Sequence, residues 1–228
     1  MITFLVYFLI ISLIPLYAQM KVKSTYKKYS QVQASSGLTG AQVARRILDQ
    51  NGLYDVRIEE TPGFLSDHYD PRSKTVRLSS NNYHGTSLAG SAVAAHEVGH
   101  AIQDQQDYAF LRFRHALVPV ANFGSNVSWI LILAGMFFTA FRDLMLLGII
   151  FMAAAVLFQV VTLPVEFNAS SRAMQQIVSV GAIRNEEEHE TKKVLNAAAM
   201  TYVAAASVAV LELLRLILIY TGMTRSDD

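Results

Sequence analysis

The chain has 228 residues, of which 52% are hydrophobic and only 16% are charged, and its formal net charge is +1. Such a low charged fraction argues against an ordinary soluble domain and indicates a membrane protein. The near-neutral charge offers no basic surface for nucleic acid, so we expect no nucleic-acid partner. The chain has no cysteine, which excludes disulfide bonds and zinc sites built from thiolates.

Four apolar segments are long enough to cross a lipid bilayer as helices. They are residues 2–20, 117–140, 144–163 and 201–221. The first is followed, not preceded, by basic residues, so we predict an uncleaved anchor rather than a signal peptide. The second and third are joined by a very short connection, which predicts a transmembrane hairpin. The fourth carries Glu212 and Arg215, whose spacing allows an ion pair on one helix face.

Lysine and arginine are concentrated in residues 21–116 and 164–200, whereas the hairpin tip and the C-terminus each carry one arginine. The positive-inside rule therefore places both basic stretches in the cytoplasm. The predicted organisation is an N-terminal anchor, a cytoplasmic part, a transmembrane hairpin, a cytoplasmic helical segment, and a C-terminal transmembrane helix with a short tail. Their ranges are 1–20, 21–116, 117–163, 164–200 and 201–228.

The first cytoplasmic part has the pattern of a small α+β unit. Residues 39–52 read as a short amphipathic helix with Thr39 as N-cap. Residues 54–60 and 73–80 alternate like strands on either side of the turn-rich stretch 61–71, which predicts a β-hairpin. We interpret His68, within that turn, as a buried side chain near the site rather than a metal ligand. The sheet could receive a peptide along its edge or be purely structural.

Residues 96–100 read His-Glu-Val-Gly-His, after Thr86 or Ser87 as a candidate helix cap. Two histidines four residues apart lie on one helix face, so His96 and His100 can reach one metal ion. Glu97 is placed to take a proton from a water that the metal activates. Two buried histidines without a metal are the alternative. It is disfavoured because the Ala-rich flanks would bury His and Glu side chains without partners.

A catalytic zinc ion usually has three protein ligands and a water, and no third histidine follows in the HExxHxxGxxH spacing. The remaining candidates are Asp104, Asp107, His115, Glu166, His189 and the acidic run 186–190. Glu166 is favoured because it follows the third apolar segment on the same predicted side as the histidines. A carboxylate at such a membrane boundary needs a partner. Pro164, two residues earlier, suits the first turn of a helix.

These motifs together resemble the YugP-like membrane zinc metallopeptidases of bacteria. The resemblance rests on GLTGAQVARRILDQNGL, LSDHYDPRSKTVRLS, AAHEVGHAIQ, LPVEFNASSRA and VLNAAAMTYVAAA. HEVGH followed by a membrane hairpin and EFNAS is more distantly similar to the HtpX and CAAX-prenyl protease group. In that group the later glutamate is the third zinc ligand, which implies Glu166 here. The group also has an aspartate four residues later, where this chain has Ser170. Asn168, Ser170 or a backbone carbonyl would then have to orient His96.

The sequence thus predicts a mainly α, multi-pass membrane protein with a small cytoplasmic zincin-like α+β part. We expect a gluzincin-type zinc endopeptidase of the bacterial plasma membrane whose active site faces the cytoplasm. His96, His100 and Glu166 would hold Zn²⁺, Glu97 would be the general base, and the substrate would be a peptide or membrane protein. Candidates for an oxyanion donor are His68, Arg172 and Tyr202. The alternatives are a non-proteolytic scaffold with a structural zinc site and an enzyme that hydrolyses lipid-linked or small amides.

Overall fold

The computed structural model of the protein describes residues 2–138 and 141–225. Within these ranges the chain is mainly helical, with seven α-helices and one small sheet of three strands. The helices are α1 (Ile2–Tyr29), α2 (Gly40–Gln50), α3 (Ser80–His84), α4 (Leu88–Gln105), α5 (Ala109–Phe137), α6 (Arg142–Ser179) and α7 (Glu188–Arg225). The strands are β1 (Arg57–Thr61), β2 (His68–Asp70) and β3 (Thr75–Ser79).

Four of the described helices, α1, α5, α6 and α7, are long and apolar enough to cross a membrane, as the sequence predicts. They extend beyond the apolar segments themselves. Helix α6 continues through Pro164 to Ser179, so the prediction that Pro164 begins a new helix is wrong. A proline inside a helix removes one backbone hydrogen bond, and the rest of the helix can continue if its neighbours support it. The last two residues of the predicted segment 117–140 and the tail residues 226–228 lie outside the described residues.

The chain divides into two compact units. The membrane unit is drawn from Met1–Leu16, Ala109–Pro164 and Tyr202–Asp228, and the site unit from Tyr17–Tyr108 and Val165–Thr201. In the membrane unit, the core is formed by side chains of α5, α6 and α7, including Ile132, Met145 and Leu216. Arg215 pairs with Glu212 one turn earlier, as predicted, and the Tyr7 hydroxyl donates a hydrogen bond to the same carboxylate.

The sheet of the site unit has the order β1-β3-β2. Strand β1 runs parallel to β3, with Arg57 opposite Thr75, so the predicted hairpin between these two strands is wrong. The turn-rich stretch contains the additional strand β2, which pairs antiparallel with β3. The hairpin is therefore β2–β3. Its turn is closed by Asp70, which accepts hydrogen bonds from Arg72 N and Ser73 Oγ, and by Lys74 at a φ of 47°.

Helices α2 and α4 pack against each other and against the sheet, and together they contribute many of the buried apolar side chains of the site unit. Thr39 caps α2 as predicted, since its Oγ1 accepts from Gln42 N at 3.2 Å while Gln42 Oε1 accepts from Thr39 N at 2.9 Å. Ser87 caps α4 by accepting from Gly90 N at 3.1 Å. The shared core includes Val43, Ile47, Leu48, Val76, Leu78, Leu88, Val98 and Ile102. This packing holds α4, the helix that carries the histidines, in a fixed position within the unit.

Candidate metal centre

Helix α4 is made largely of small residues, which lets another helix approach it closely. A Cβ atom on Gly99 would lie 2.6 Å from the backbone oxygen of Ala169, far inside normal contact distance. Only glycine therefore permits this approach of α6 to α4. The contact falls between His96 and His100 on α4 and next to Ser170 on α6, so it brings the metal-ligating residue types of the two helices together.

Glu166 of α6 faces both histidines. Its Oε2 lies 3.3 Å from His96 Nε2 and 3.6 Å from His100 Nε2. The three potential ligand atoms all lie within 4.8 Å of one another, and in the part of the chain that the structure describes these residues form the group able to hold a metal. Ligands about 2.0–2.2 Å from a tetrahedral zinc ion are themselves about 3.4 Å apart. The donor set and its spacing therefore fit zinc.

The site is buried around a carboxylate. Glu166 is 2% exposed, and the side chains of His96 and His100 are 12% and 13% exposed. Burial by itself lowers the pKa of His100, but the hydrogen bond and charge of Glu166, with smaller contributions from Glu97 and Gln103, outweigh it and raise that pKa. The surroundings of His100 thus favour a positive charge. A carboxylate buried among imidazoles is the arrangement that a bound cation would neutralise.

Each histidine is held through its other ring nitrogen. Ser170 Oγ lies 3.2 Å from His96 Nδ1, so the serine occupies the orienting position for which the resemblance leads us to expect an aspartate. Gln103 Oε1 lies 3.0 Å from His100 Nδ1. Sequence reasoning missed Gln103. Its i, i+3 spacing from His100, in an apolar stretch, is the signal that could have identified it.

Glu97 follows His96 on α4 and is only partly buried. Ala95 and Ala101, which flank the histidine pair, are by contrast buried. Its negative charge acts on His100. A carboxylate that is close to the ligands and retains access to solvent is the type of group that general-base chemistry needs.

Two of the other acidic candidates from the sequence have hydrogen-bond partners of their own. Asp104 accepts a hydrogen bond from the Tyr69 hydroxyl at 3.0 Å, and Glu187 of the acidic run accepts from the backbone and hydroxyl of Ser35. His68 is exposed, with its Nδ1 2.8 Å from Ser66 O, so the prediction of a buried His68 near the site is wrong. It follows a turn at the start of an edge strand, where a side chain points to solvent.

Arg172, one of the proposed oxyanion donors, is hydrogen-bonded to two side chains. Arg172 donates from Nε to Asn168 Oδ1 at 2.7 Å and from Nη1 to Gln106 Oε1 at 2.6 Å. Its guanidinium therefore bonds to a side chain of its own helix, α6, and to Gln106, the residue that follows α4. Tyr202, like His115, belongs to the membrane unit.

Comparison with known proteins decides the family. A family model described as "Putative neutral zinc metallopeptidase" matches residues 4–221. The chain belongs to this zinc metallopeptidase family. It is also 58% identical over 204 residues to a "Putative membrane protease YugP" of Bacillus subtilis (strain 168), with 90% of each chain covered. No solved structure matches the chain.

Membership confirms the resemblance drawn from the sequence motifs and establishes zinc as the cofactor of the family. The buried group of His96, His100 and Glu166 is a set of side chains that could hold it. The membrane-protease relative and the four apolar helices agree in describing a multi-pass membrane protein.

Proposed function

We propose that the protein is a gluzincin-type zinc endopeptidase in which His96, His100 and Glu166 bind the metal and Glu97 is the general base. The observation that carries the proposal is that Glu166, 66 residues after His100 in the chain, lies 3.6 Å from its Nε2. Nothing in the local sequence around HEVGH requires this contact. A separate helix thus brings a buried carboxylate to two imidazoles. This supports a site with three protein ligands, in which the fourth position of a zinc ion would be left for a water.

Zinc held there would lower the pKa of a coordinated water and polarise the carbonyl of the scissile peptide bond. The protein's own groups have separate tasks in this reaction. His96, His100 and Glu166 supply three fixed ligand atoms, while Ser170 and Gln103 orient the two rings. Glu97 accepts a proton as the water oxygen bonds to the carbonyl carbon, and donates that proton to the amine as the C–N bond breaks.

We further propose that the site faces the cytoplasm of a bacterial plasma membrane and acts on peptide segments of membrane proteins or on peptides near the membrane. Most of the chain's 19 Lys and Arg residues belong to the site unit, which supports a cytoplasmic location by the positive-inside rule. Strand β2 is an edge strand, joined to α4 by the hydrogen bond from Tyr69 to Asp104. An extended substrate could pair with such an edge.

The experiment that tests this function compares the purified full-length protein with Glu97→Gln in detergent. We expect Glu97→Gln to bind zinc as the unchanged protein does and to cleave an unfolded protein substrate about 10²–10⁴-fold more slowly. Glu186→Gln, at an exposed glutamate outside the group of three ligands, is the matched control and should cleave normally. Cleavage by Glu97→Gln at the unchanged rate would contradict the role of Glu97.

A non-proteolytic scaffold with a structural zinc site is the second candidate. The position of Glu97 beside the ligands disfavours it, because a structural site has no use for a partly exposed base. Chelation separates the two functions. Loss of proteolysis with the fold retained, restored by added zinc, supports the peptidase, whereas a zinc-bound protein that never cleaves supports the scaffold.

A further inference from the structure

Gln103 is a fully buried amide, 0% exposed, one turn after His100 on α4. Its neighbours Ala101 and Ile102 are buried apolar side chains. A buried amide without hydrogen-bond partners would destabilise the folded protein. The position therefore has to provide hydrogen-bond partners for the amide, and these partners determine which way it faces.

Three hydrogen bonds fix the orientation of this amide. Nε2 donates to Val165 O at 2.8 Å and to Asn168 Oδ1 at 2.9 Å, while Oε1 lies 3.0 Å from His100 Nδ1. A backbone carbonyl can only accept, so the NH₂ group of Gln103 must face Val165. Its oxygen is then left facing His100 and can only accept. The proton of that bond must come from His100 Nδ1.

A charged residue supports the same orientation from the other side. Arg172 has only donors, and its Nε donates to Asn168 Oδ1 at 2.7 Å. The Asn168 oxygen is therefore directed toward both Arg172 and Gln103, and its amide cannot turn over without losing both bonds. The Val165 carbonyl can only accept hydrogen bonds and the Arg172 guanidinium can only donate them. Together they determine the direction of the chain of hydrogen bonds that ends at His100.

We infer that Gln103 is a positioning residue that holds His100 as the Nδ1–H tautomer, with the lone pair of Nε2 directed at the metal position beside Glu166. The inference rests on the proposed function, since it presumes that His100 is a zinc ligand. Metal-binding histidines usually donate this proton to a carboxylate, a carbonyl or a water. Here the acceptor of the hydrogen bond from His100 Nδ1 is a neutral side-chain amide, which is itself held by hydrogen bonds to α6.

The test measures zinc affinity by competition with a chromogenic chelator, using the full-length protein in detergent. Gln103→Met keeps the length and burial of the side chain but removes the acceptor, and we expect it to bind zinc about 10- to 100-fold more weakly. Gln105→Met is the matched control: the same change on the same helix at an exposed glutamine, which donates to Asn51 O. It should bind zinc like the unchanged protein.

Gln103→Glu separates positioning from packing. Buried and protonated, a glutamic acid can accept from His100 Nδ1 and donate one hydrogen bond to Val165 O. We expect it to retain zinc affinity within a few-fold and to give the same visible spectrum with Co²⁺ as the unchanged protein, while Gln103→Met gives a different one. Equal loss of affinity in both variants would show a packing role and overturn the inference.

The remaining outcomes are distinct. Zinc affinity of Gln103→Met equal to that of Gln105→Met would overturn the inference while leaving the proposed function intact. Failure of the unchanged protein itself to bind zinc would instead overturn the proposed function. If Gln103→Glu did not fold, the comparison between the two methionine variants and their Co²⁺ spectra would still decide the question.

Discussion

Gly99 of α4 lies directly against the backbone of Ala169 in α6, so that a Cβ atom at position 99 would meet the Ala169 oxygen at 2.6 Å. A backbone carbonyl within a packed helix cannot move aside as a flexible side chain would. The separation of the two helices, and with it the distance from Glu166 to the histidines, therefore depends on a single missing methyl group.

Gly99→Ala should weaken zinc binding at least about 10-fold, because α6 must move away and carry Glu166 with it. The gain in helix propensity, about 1 kcal/mol, is smaller than or similar to the usual cost of overpacking, about 1–3 kcal/mol. Gly222→Ala is the control, since nothing lies within 4 Å of its added Cβ. Zinc titration and thermal unfolding measure both effects, and unchanged zinc affinity in Gly99→Ala would rule out the close approach.

Glu166→Ala should lose most of its bound zinc after dialysis, because two imidazoles alone leave the ion without its third ligand. Asp104→Asn is the control at a second acidic candidate, whose carboxylate accepts from the Tyr69 hydroxyl. That variant should keep its zinc. Metal analysis of the purified proteins measures both, and the reverse pattern would assign the third ligand to Asp104.

Substitutions of Ser170 should be able both to weaken and to strengthen zinc binding. Ser170→Ala removes the partner of His96 Nδ1 and should weaken zinc binding about 10-fold, at the lower end for groups that orient a ligand. Ser170→Asp would put a carboxylate in the same place, make His96 more basic and tighten binding. Ser171→Ala, at the exposed neighbouring serine, should have no effect. Equal affinities for the alanine variants would remove Ser170 from the site.

Removal of zinc should abolish proteolysis without unfolding the protein. The core of the site unit, whose members run from Tyr26 to Leu195 in the chain, is built from apolar side chains that do not bind the metal. We expect the chelated protein to keep its helical circular dichroism and to melt at a lower temperature, because bound zinc stabilises the native state by mass action. Complete loss of helicity on chelation would instead indicate a structural metal site.

The sequence predicted those features that depend on local chemistry. The HEVGH spacing placed both histidines on one face of α4, and the capping pattern located the start of α2 at Thr39. Hydropathy predicted four apolar helices. In each case the evidence lies within one continuous segment of the chain, where residue spacing and composition translate directly into helix geometry.

The features that were missed depend on contacts between distant segments. Alternation predicted that residues 54–60 and 73–80 form strands but carries no information on their direction, and the pair is parallel. His68 is exposed because it begins the edge strand β2, which the turn-rich composition concealed. The role of Gln103 depends on Val165 and Asn168, more than sixty residues later, and no local pattern indicates that contact.

Binding of one zinc ion by His96, His100 and Glu166 is tested most directly by locating zinc in crystals of the full-length protein, through anomalous scattering at the zinc edge. We predict a single peak about 2.0–2.2 Å from Nε2 of both histidines and from a carboxylate oxygen of Glu166. A zinc ion bound through other side chains, such as Asp104 or His189, with this group left apart from it, would contradict the account.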